Sequence, residues 1–582
     1  MRAWILVIVL MVTACGTERP ESADGKDDAF LVGGKGDSPY GSCTDNQILA
    51  LVNDPLTSYE VLRGIGVWPQ SAKSIVAHRD GADGLPGTAD DDSFDDLREL
   101  DDLWWVGPKT LEALATAAAA NCEAVLTAEV IFSPQPYEQS HLDRVRKLID
   151  GAEVSIDIAM YSFSDSNILA ALGAATARGV QIRFIFESAN GDKNDPEGTW
   201  SAKLEERGIN VRYVNKIMHH KFMIVDGPIA SVDDAYTGTL VTGSGNWSNS
   251  AGTRYDENTV FLSGSGELLL KFQQEFNHLW ENSRDLVWAE DLESLTTLPI
   301  PDAVIVDDPA VDVAYTSDNF DVKASSYGPT FSVVTGRDTV ADALVAQIEA
   351  ATTSIHVASG HLRSRPVAEA LLAKAAAHPE MDIRVLLDNQ EYISAWKADD
   401  QKADLAACLA AAGDSPSAVR KCQDKGFYYS YPLYEAGVPL RFKFYCYRWH
   451  YTYAVQMHHK TMVFDGRIVA SGSYNLSDNA EHNTMENMVF YDASVLPEMV
   501  AAFEANFEAL WVQGEAEGLY PKLLEEISLA EGPFPIVFEP MALGWEEVTV
   551  LKALIKDKCP QVTSDAFASN PQSHTWCDPN AS

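Results

Sequence analysis

The stretch His219-His220-Lys221-Phe222-Met223-Ile224-Val225-Asp226-Gly227 returns in the second half of the chain as His458-His459-Lys460-Thr461-Met462-Val463-Phe464-Asp465-Gly466. A Gly-Ser-x-Asn follows each copy, at Gly243 to Asn246 and Gly472 to Asn475, and eleven residues beyond each Asn comes a Glu-Asn pair, Glu257-Asn258 and Glu486-Asn487. Polar positions that recur twice in the same order constrain the chain to two copies of one unit. The flanks agree. Val154 to Phe163 alternates as a strand, Asn167 to Arg178 has helical spacing and Gly179 to Phe186 is a second apolar strand. Ser354 to Ala358, Pro366 to Ala376 and Asp382 to Leu387 repeat that βαβ order, and Gly208 to Tyr213 matches Gly437 to Phe442. The pattern predicts two α/β domains, residues 125–290 and 330–515, joined by a linker over 291–329, with helices on both faces of each sheet.

The chain opens with Arg2 and an apolar run from Ala3 to Val12, too short to span a bilayer, which reads as an export leader over residues 1–14. Val12-Thr13-Ala14-Cys15 resembles a bacterial lipobox, which implies that Cys15 is lipidated and holds the protein to the cell envelope; Gly16, in place of a retaining Asp, points to the outer membrane, and secretion is the alternative. Residues 15–42, rich in Gly, Asp, Ser and Pro, read as a disordered tether. No later stretch of sequence is long and apolar enough to cross a membrane. In an exported chain eight cysteines without any Cys-x-x-Cys read as a disulfide framework. Cys15 aside, pairing by proximity joins Cys43 with Cys122, Cys408 with Cys422 and Cys559 with Cys577, and leaves Cys446 as a free buried thiol or the sign of another pairing. The formal net charge of −42 repels nucleic acid and anionic membrane at long range. It excludes a passive DNA-coating role, though not an enzyme that handles one phosphodiester in a local basic pocket.

Residues 43–122 form a small helical unit. Leu62-Arg63-Gly64-Ile65-Gly66 with Ala72, Ile75 and Arg79, and Leu103-Trp104-Trp105-Val106-Gly107-Pro108-Lys109-Thr110 ahead of an Ala-rich helix, resemble a tandem helix-hairpin-helix module. Glycines in such hairpins let backbone N–H groups approach a DNA phosphate. The match is partial: Trp105 stands where the second hairpin's first glycine would be, and 14 acidic against 5 basic residues is the wrong balance for gripping DNA. A structural or protein-docking role is the expectation. Between the hairpins Asp80, Asp83, Asp90 and Asp92 offer the oxygen ligands Ca²⁺ prefers, but the spacing fits no complete EF-hand and a solvated acidic turn is the preferred reading.

A phosphodiester substrate needs a nucleophile, a proton for the leaving oxygen, and cations or N–H donors on the non-bridging oxygens. His219, His458, Lys221, Lys460, Asn246 and Asn475 make up that set. One neutral imidazole attacks phosphorus to form a phosphohistidine; the other protonates the leaving group and then serves as base on water. The lysines and asparagines hold the phosphoryl oxygens, so neither a metal nor another cofactor is required. Glu257 and Glu486 are the candidates to orient the imidazoles. Period two along a strand puts His219 and Lys221 on one face and leaves His220 and His459 as packing neighbours. Together, His-x-Lys-x4-Asp with a downstream Gly-Ser-x-Asn resembles the signature of the phospholipase D superfamily, over residues 125 to 515. The resemblance implies two pseudo-twofold-related α/β/α sandwich domains behind the small helical unit and one active site where both motifs meet. It also implies a mainly structural part for Asp226 and Asp465, which complete the motif.

The second half carries an insertion around Cys408 and Cys422 and another immediately before His458, dense in aromatic residues from Phe442 to Tyr453. Through Trp449 and Tyr451 such a loop can hold an acyl chain or a choline-like headgroup; a core hairpin is the equal alternative. Residues 516–582 read as a C-terminal extension stapled to the body. The expected protein is a monomeric, lipid-anchored hydrolase of the phospholipase D type, converting phosphatidylcholine to phosphatidic acid and choline. The alternative, an exported metal-independent endonuclease of the same superfamily, is disfavoured by the charge.

Overall fold

The computed structural model describes residue 40 and residues 42–578, except 55–56, 86–87, 89, 123–125, 289–291, 293–294, 303–304, 306–309 and 451. The expected leader, nearly all of the tether, the lipidation residue Cys15 and the substrate candidate Tyr451 lie outside the described residues, as do the side chains of Cys43 and Cys122. The chain divides after Asn121 into two compact units.

In the first unit five helices, Ser42–Asn53, Tyr59–Gly64, Pro69–Arg79, Leu97–Asp101 and Pro108–Cys122, surround a core that includes Ile48, Leu62, Ile75, Leu100 and Leu111. Pro69 and Pro108 open their helices, where a missing N–H costs nothing. Arg79 is interior, donating to the carbonyls of Asp54 and Thr57, both at 2.8 Å.

The second unit is built on two eight-stranded sheets. In the first, β1 (Thr127–Ser133), β2 (Ser155–Met160), β3 (Gln181–Phe186), β4 (Asn210–Tyr213), β5 (Lys221–Val225), β6 (Thr239–Gly243), β7 (Glu257–Ser263) and β8 (Arg284–Asp285) lie in the order β1-β7-β6-β5-β2-β3-β4-β8. The second repeats that order strand for strand with β9 (Val311–Tyr315), β10 (Ser354–Ser359), β11 (Asp382–Asp388), β12 (Leu440–Cys446), β13 (Lys460–Phe464), β14 (Ile468–Gly472), β15 (Asn487–Asp492) and β16 (Val537–Gly544). Only the central triplets β2-β3-β4 and β10-β11-β12 are parallel. Their near-continuous apolar runs follow from burial on both faces. The helix that crosses from β2 to β3, Ser166–Arg178, begins where the Asp165 carboxylate accepts the N–H groups of Asn167 and Ile168, both at 2.9 Å, and stops at Gly179 in the left-handed region, φ 94°.

One face of the first sheet packs against helices His141–Gly151 and Ser166–Arg178 through Leu142, Ile158 and Leu172. Its other face shares a single apolar cluster with the second sheet, to which Phe222 and Val260 come from one half and Val463, Val489 and Phe503 from the other. The halves therefore bury a common interior.

Two boundaries move. Val311–Tyr315, inside the expected linker, is the edge strand β9, and Val537–Gly544, inside the expected extension, is the opposite edge strand β16. Val311–Tyr315 is short and Val537–Gly544 is interrupted by Pro540, so each shows as a sheet strand only once it pairs. The helix Trp545–Lys558 then returns to the core through Val548, Leu551 and Ile555. The aromatic segment before His458 begins as β12, with Phe442, Phe444 and Tyr445 buried, so the core reading holds for its first part. Cys408–Cys422 and Cys559–Cys577 are disulfides and Cys446 is a free buried thiol. Among the described residues no helix is long and apolar enough to cross a membrane.

A chain ended after residue 515 would lose β16 and the cover that Val548 and Leu551 give the core. It is expected to aggregate, and a monodisperse product with native circular dichroism would contradict the assignment of residues 516–582 to the second sheet.

Candidate active site

His219 and His458 lie immediately ahead of β5 and β13, where each motif is stitched to the opposite half. The His219 N–H donates to the Met485 carbonyl at 3.1 Å and the His458 N–H to the Asp256 carbonyl at 3.0 Å. Ile217-Met218 pairs in parallel with Thr484-Met485, and Asp256 bridges to Met457. The Glu of each Glu-Asn pair thereby serves the histidine of the other half. Glu486 receives the His219 Nδ1–H on both carboxylate oxygens, at 2.7 and 2.8 Å, and Glu257 receives the His458 Nδ1–H at 2.7 Å. With Nδ1 carrying the proton, Nε2 is the free, reactive nitrogen of each ring.

The neighbouring Asn residues cross in the same way. Asn487 Nδ2 donates to His220 Nδ1 and Asn258 Nδ2 to His459 Nδ1, both at 2.9 Å, and His220 Nε2 donates onward to Glu275 at 3.0 Å. His220 and His459, expected as packing neighbours, are buried hydrogen-bonded bridges between the halves. Another buried tie runs from Lys443 on β12 to Asp256, 2.6 Å.

The glycines of Gly-Ser-x-Asn make this approach sterically accessible. A Cβ on Gly243 would stand 2.4 Å from the Asn258 carbonyl oxygen and one on Gly472 2.3 Å from that of Asn487. Ser244 and Ser473 can then exchange bonds with Asn258 and Asn487: each serine N–H meets the asparagine carbonyl, and each asparagine N–H meets the serine Oγ. Asn246 and Asn475 come next, each with a buried amide oxygen that lacks a partner among the described residues. Lys221 and Lys460 are buried and donate to the carbonyls of His219 and His458, at 2.6 and 2.7 Å.

Asp226 and Asp465 take no part in this cluster. They lie at the far ends of β5 and β13, roughly 17 Å along a five-residue strand. There Asp226 accepts the N–H groups of Glu153, Val154 and Ser155, and Asp465 those of Thr352, Thr353 and Ser354. Both adopt left-handed backbone, φ 51° and 55°. They brace turns at the strand ends away from the imidazoles.

Burial and the Lys221 ammonium hold His219 well below the usual imidazole range, and burial with Lys460 and Lys221 does the same to His458. Burial pushes Glu257 and Glu486 up to about 7 and brings Lys221 down to about 7 and Lys460 to about 8. With the lysines and glutamates ionised, two positive charges balance two negative ones around the neutral imidazoles. A phosphodiester adds one negative charge, and one further proton restores neutrality. The electrostatics therefore favour one imidazolium beside one neutral imidazole once a diester is bound.

Sequence reasoning missed three positioning groups. Glu187 and Asp388 occupy the same place at the ends of the two matching strands, accepting the N–H of the residue before each histidine, Met218 at 2.6 Å and Met457 at 2.9 Å. The match of Ile182-Arg183-Phe184-Ile185-Phe186-Glu187 to Ile383-Arg384-Val385-Leu386-Leu387-Asp388 was the available signal. His141 holds the Asn246 carbonyl at 2.9 Å and has no repeat partner to reveal it. The halves also differ at the site. Tyr161 and Gly360 make equivalent backbone bonds to the His220 and His459 carbonyls, but the Tyr161 ring packs 4.5 Å from His219, whereas Gly360 carries no ring and the Tyr255 ring stands farther off, 6.3 Å from His458.

Trp449 stands exposed on the loop after β12, and Arg254 ties that loop to the first half through the carbonyls of Thr452 and Ala454, both 2.9 Å. Of the four Ca²⁺ candidates Asp83 and Asp90 meet at the Thr88 hydroxyl, at 3.4 and 2.8 Å, while Asp80 and Asp92 are engaged by basic side chains. Asp80 receives Arg79 Nε at 2.7 Å, Asp90 closes its own loop on the N–H groups of Ala82 and Asp83, Asp83 turns to the Leu85 N–H, and Asp92 faces His78.

A family model described as cardiolipin synthase, PLD-like domain, matches residues 145–280 and 344–511, one segment in each half. The chain belongs to this phospholipase D-like family. Mitochondrial cardiolipin hydrolase of Homo sapiens is 30% identical over 182 residues, 29% of this chain and 67% of that protein. The Xenopus tropicalis protein of the same name is 28% identical over 150 residues, 25% of this chain and 65% of that one. The chain spans about two thirds of the length of these relatives. Among solved structures, the phospholipase D family member Nuc from Salmonella typhimurium is 29% identical, with a TM-score of 0.22 over 28% of this chain and 97% of that chain. A phosphatidylserine synthase from Haemophilus influenzae is 13% identical, with a TM-score of 0.40 over 67% of this chain and 90% of that one.

The crossed pairing makes a specific forecast. Glu486→Gln should shift the Nδ1–H resonance of His219, whose hydrogen bond it weakens, more than that of His458, and Glu257→Gln should do the converse. Histidine NMR of the two variants decides it, and a larger shift at the same-half Nδ1–H would refute the crossing.

Proposed function

We propose that the protein is a phosphodiesterase of the phospholipase D type that hydrolyses a zwitterionic phospholipid, phosphatidylcholine to phosphatidic acid and choline, through a phosphohistidine. The observation that carries the reaction class is the pair of imidazoles from opposite halves, each with Nδ1 held by the other half's glutamate. One Nε2 attacks phosphorus while the other, protonated, gives its proton to the departing choline oxygen as the P–O bond breaks. That second ring, now neutral, takes a proton from water; the resulting hydroxide displaces the histidine and regenerates both rings. Lys221, Lys460, Asn246 and Asn475 hold the non-bridging oxygens as charge builds on them.

Three features support the lipid over nucleic acid. The net charge of −42 opposes a polyanion, the exposed Trp449 offers a face to a quaternary ammonium or acyl chain, and relatives bear the name of cardiolipin hydrolases. Cardiolipin is anionic, and the charge of this chain favours a zwitterionic lipid instead. Lipidation at Cys15 would keep the enzyme at the envelope beside its substrate.

His219→Ala and His458→Ala should each cut turnover by about a thousandfold or more without unfolding the chain, since the pair acts as a unit. Parallel assays on phosphatidylcholine vesicles, a soluble chromogenic diester and plasmid DNA test the substrate. Choline release without DNA cleavage is expected, with Trp449→Ala cutting the vesicle rate far more than the soluble one. Rapid plasmid cleavage without choline release would overturn the lipid reading.

The pH profile follows from the same cluster. Below about 7 the glutamates gain protons and stop supporting the imidazolium; above about 7 to 8 the lysines lose the protons that bind phosphate. The kcat/KM profile should be a narrow bell centred between 7 and 8, whose limbs belong to the cluster as a whole. A flat profile from pH 5 to 10 would contradict the charge balance.

A further inference from the structure

We propose that the hairpin tip of the N-terminal unit, formed by Trp68, Trp104 and Trp105, inserts into the headgroup layer of a phospholipid bilayer. The three indoles are 58%, 63% and 55% exposed, and Trp105 lies 6.3 Å from each of the other two rings, centroid to centroid. A contiguous set of the largest apolar side chains left in water marks an interaction surface.

The backbone under them points the same way. Trp105 sits at φ 83°, in the left-handed region that is easy for glycine and costly for a side chain. Gly66 holds the equivalent place in the first hairpin at φ 96°, each three residues ahead of the proline that opens the next helix. The true correspondence is thus Gly66-Val67-Trp68-Pro69 with Trp105-Val106-Gly107-Pro108, two residues away from the Gly64-Ile65-Gly66 alignment that the sequence suggests. Each hairpin keeps one glycine of the motif and fills the other slot with tryptophan. The strained turn is held firmly: Ser71 Oγ donates to the Trp105 carbonyl, Ser74 Oγ donates to that of Trp104 at 2.9 Å, and Thr110 Oγ1 donates to Ser71 Oγ at 3.0 Å. A glycine at 105 would suit the turn better, and the indole it carries instead contributes little to the core. Backbone strain of this kind, over-determined by its surroundings, belongs with function.

Charge selects the occupant. Residues 61–76 and 103–111 contain Arg63, Lys73 and Lys109, all exposed, and no acidic residue, although the unit as a whole has 14 acidic and 5 basic residues. Indoles flanked by a few cations fit the bilayer interface, where the rings lie at the level of the glycerol backbone and the cations meet lipid phosphates. Duplex DNA fits worse. The slots through which a phosphate would reach backbone N–H groups are occupied by indoles, and the rest of the unit is acidic. The inference stands apart from the catalytic reading, because binding can be measured on an inactive enzyme.

The test uses the full chain carrying Cys15→Ala and His219→Ala, so that neither an acyl anchor nor turnover contributes. Co-sedimentation with phosphatidylcholine vesicles should show binding that falls at least tenfold when Trp68, Trp104 and Trp105 are all changed to Ala. In a chain with His219 intact, the same three changes should leave hydrolysis of a soluble diester as it was. Trp105→Gly keeps the experiment decisive even if the triple variant fails to fold: it should melt at the same temperature or higher, because the strain is relieved, yet bind vesicles more weakly. Undiminished vesicle binding by Trp105→Gly, no vesicle binding by the parent, or a parent that prefers a duplex oligonucleotide to vesicles would each overturn the proposal.

Discussion

The crossed hydrogen bonds between the two halves are the constraint on which the rest of the structure depends. Each reactive imidazole is oriented by a glutamate from the other repeat, and the asparagine beside that glutamate orients the neighbouring histidine. Neither half can hold its own histidine in the working tautomer. A buried carboxylate and a buried ammonium are costly alone, so the six titratable groups of the site are tolerable only as an assembled, charge-balanced set. The shared apolar interior between the sheets then has a plain purpose: it keeps the halves in the one arrangement that satisfies those groups.

Duplication supplies symmetry, but a phosphodiester has two different ends. The differences between the halves therefore carry the information about substrate. Tyr161 packs on His219 where the second half has Gly360, and only the second half extends a loop bearing Trp449 before its motif. Scaffolding differs too. In the first half Arg183 pairs with Asp157 on the adjacent strand at 2.6 Å, whereas its counterpart Arg384 reaches Glu508 on the covering helix at 3.0 Å. The backbone order survives this exchange because it is set by strand pairing and apolar burial, which neither substitution disturbs.

Acidity and aromatic exposure also belong together. A strongly negative surface keeps the protein from polyanions, while exposed indoles on the N-terminal unit and on the loop after β12 give it apolar contacts that charge does not veto.

Much was legible in the sequence because it was written twice. The repeated His-x-Lys, Gly-Ser-x-Asn and Glu-Asn announced two related domains and the members of one polar set, and the alternation around them announced parallel strands with crossover helices. Other features had no local signature. Which glutamate serves which histidine depends on residues 267 and 201 positions apart in the chain, and periodicity within a strand is silent about partners at that range. The edge strands Val311–Tyr315 and Val537–Gly544 hid in an apparent linker and tail, since a short strand, or one interrupted by a proline, shows as such only against its neighbour. Asp226 and Asp465 belong to the motif by spacing and were expected to be mainly structural; only the fold showed which turns they brace. Trp105 in a glycine's place was visible as an anomaly; that the chain accepts the left-handed turn there, and leaves the indole in water, was decided by the tertiary bonds from Ser71 and Ser74. Sequence determined which groups exist and along which elements they run; folding decided which of them meet, because burial in a common interior, and not proximity along the chain, brings opposite halves together.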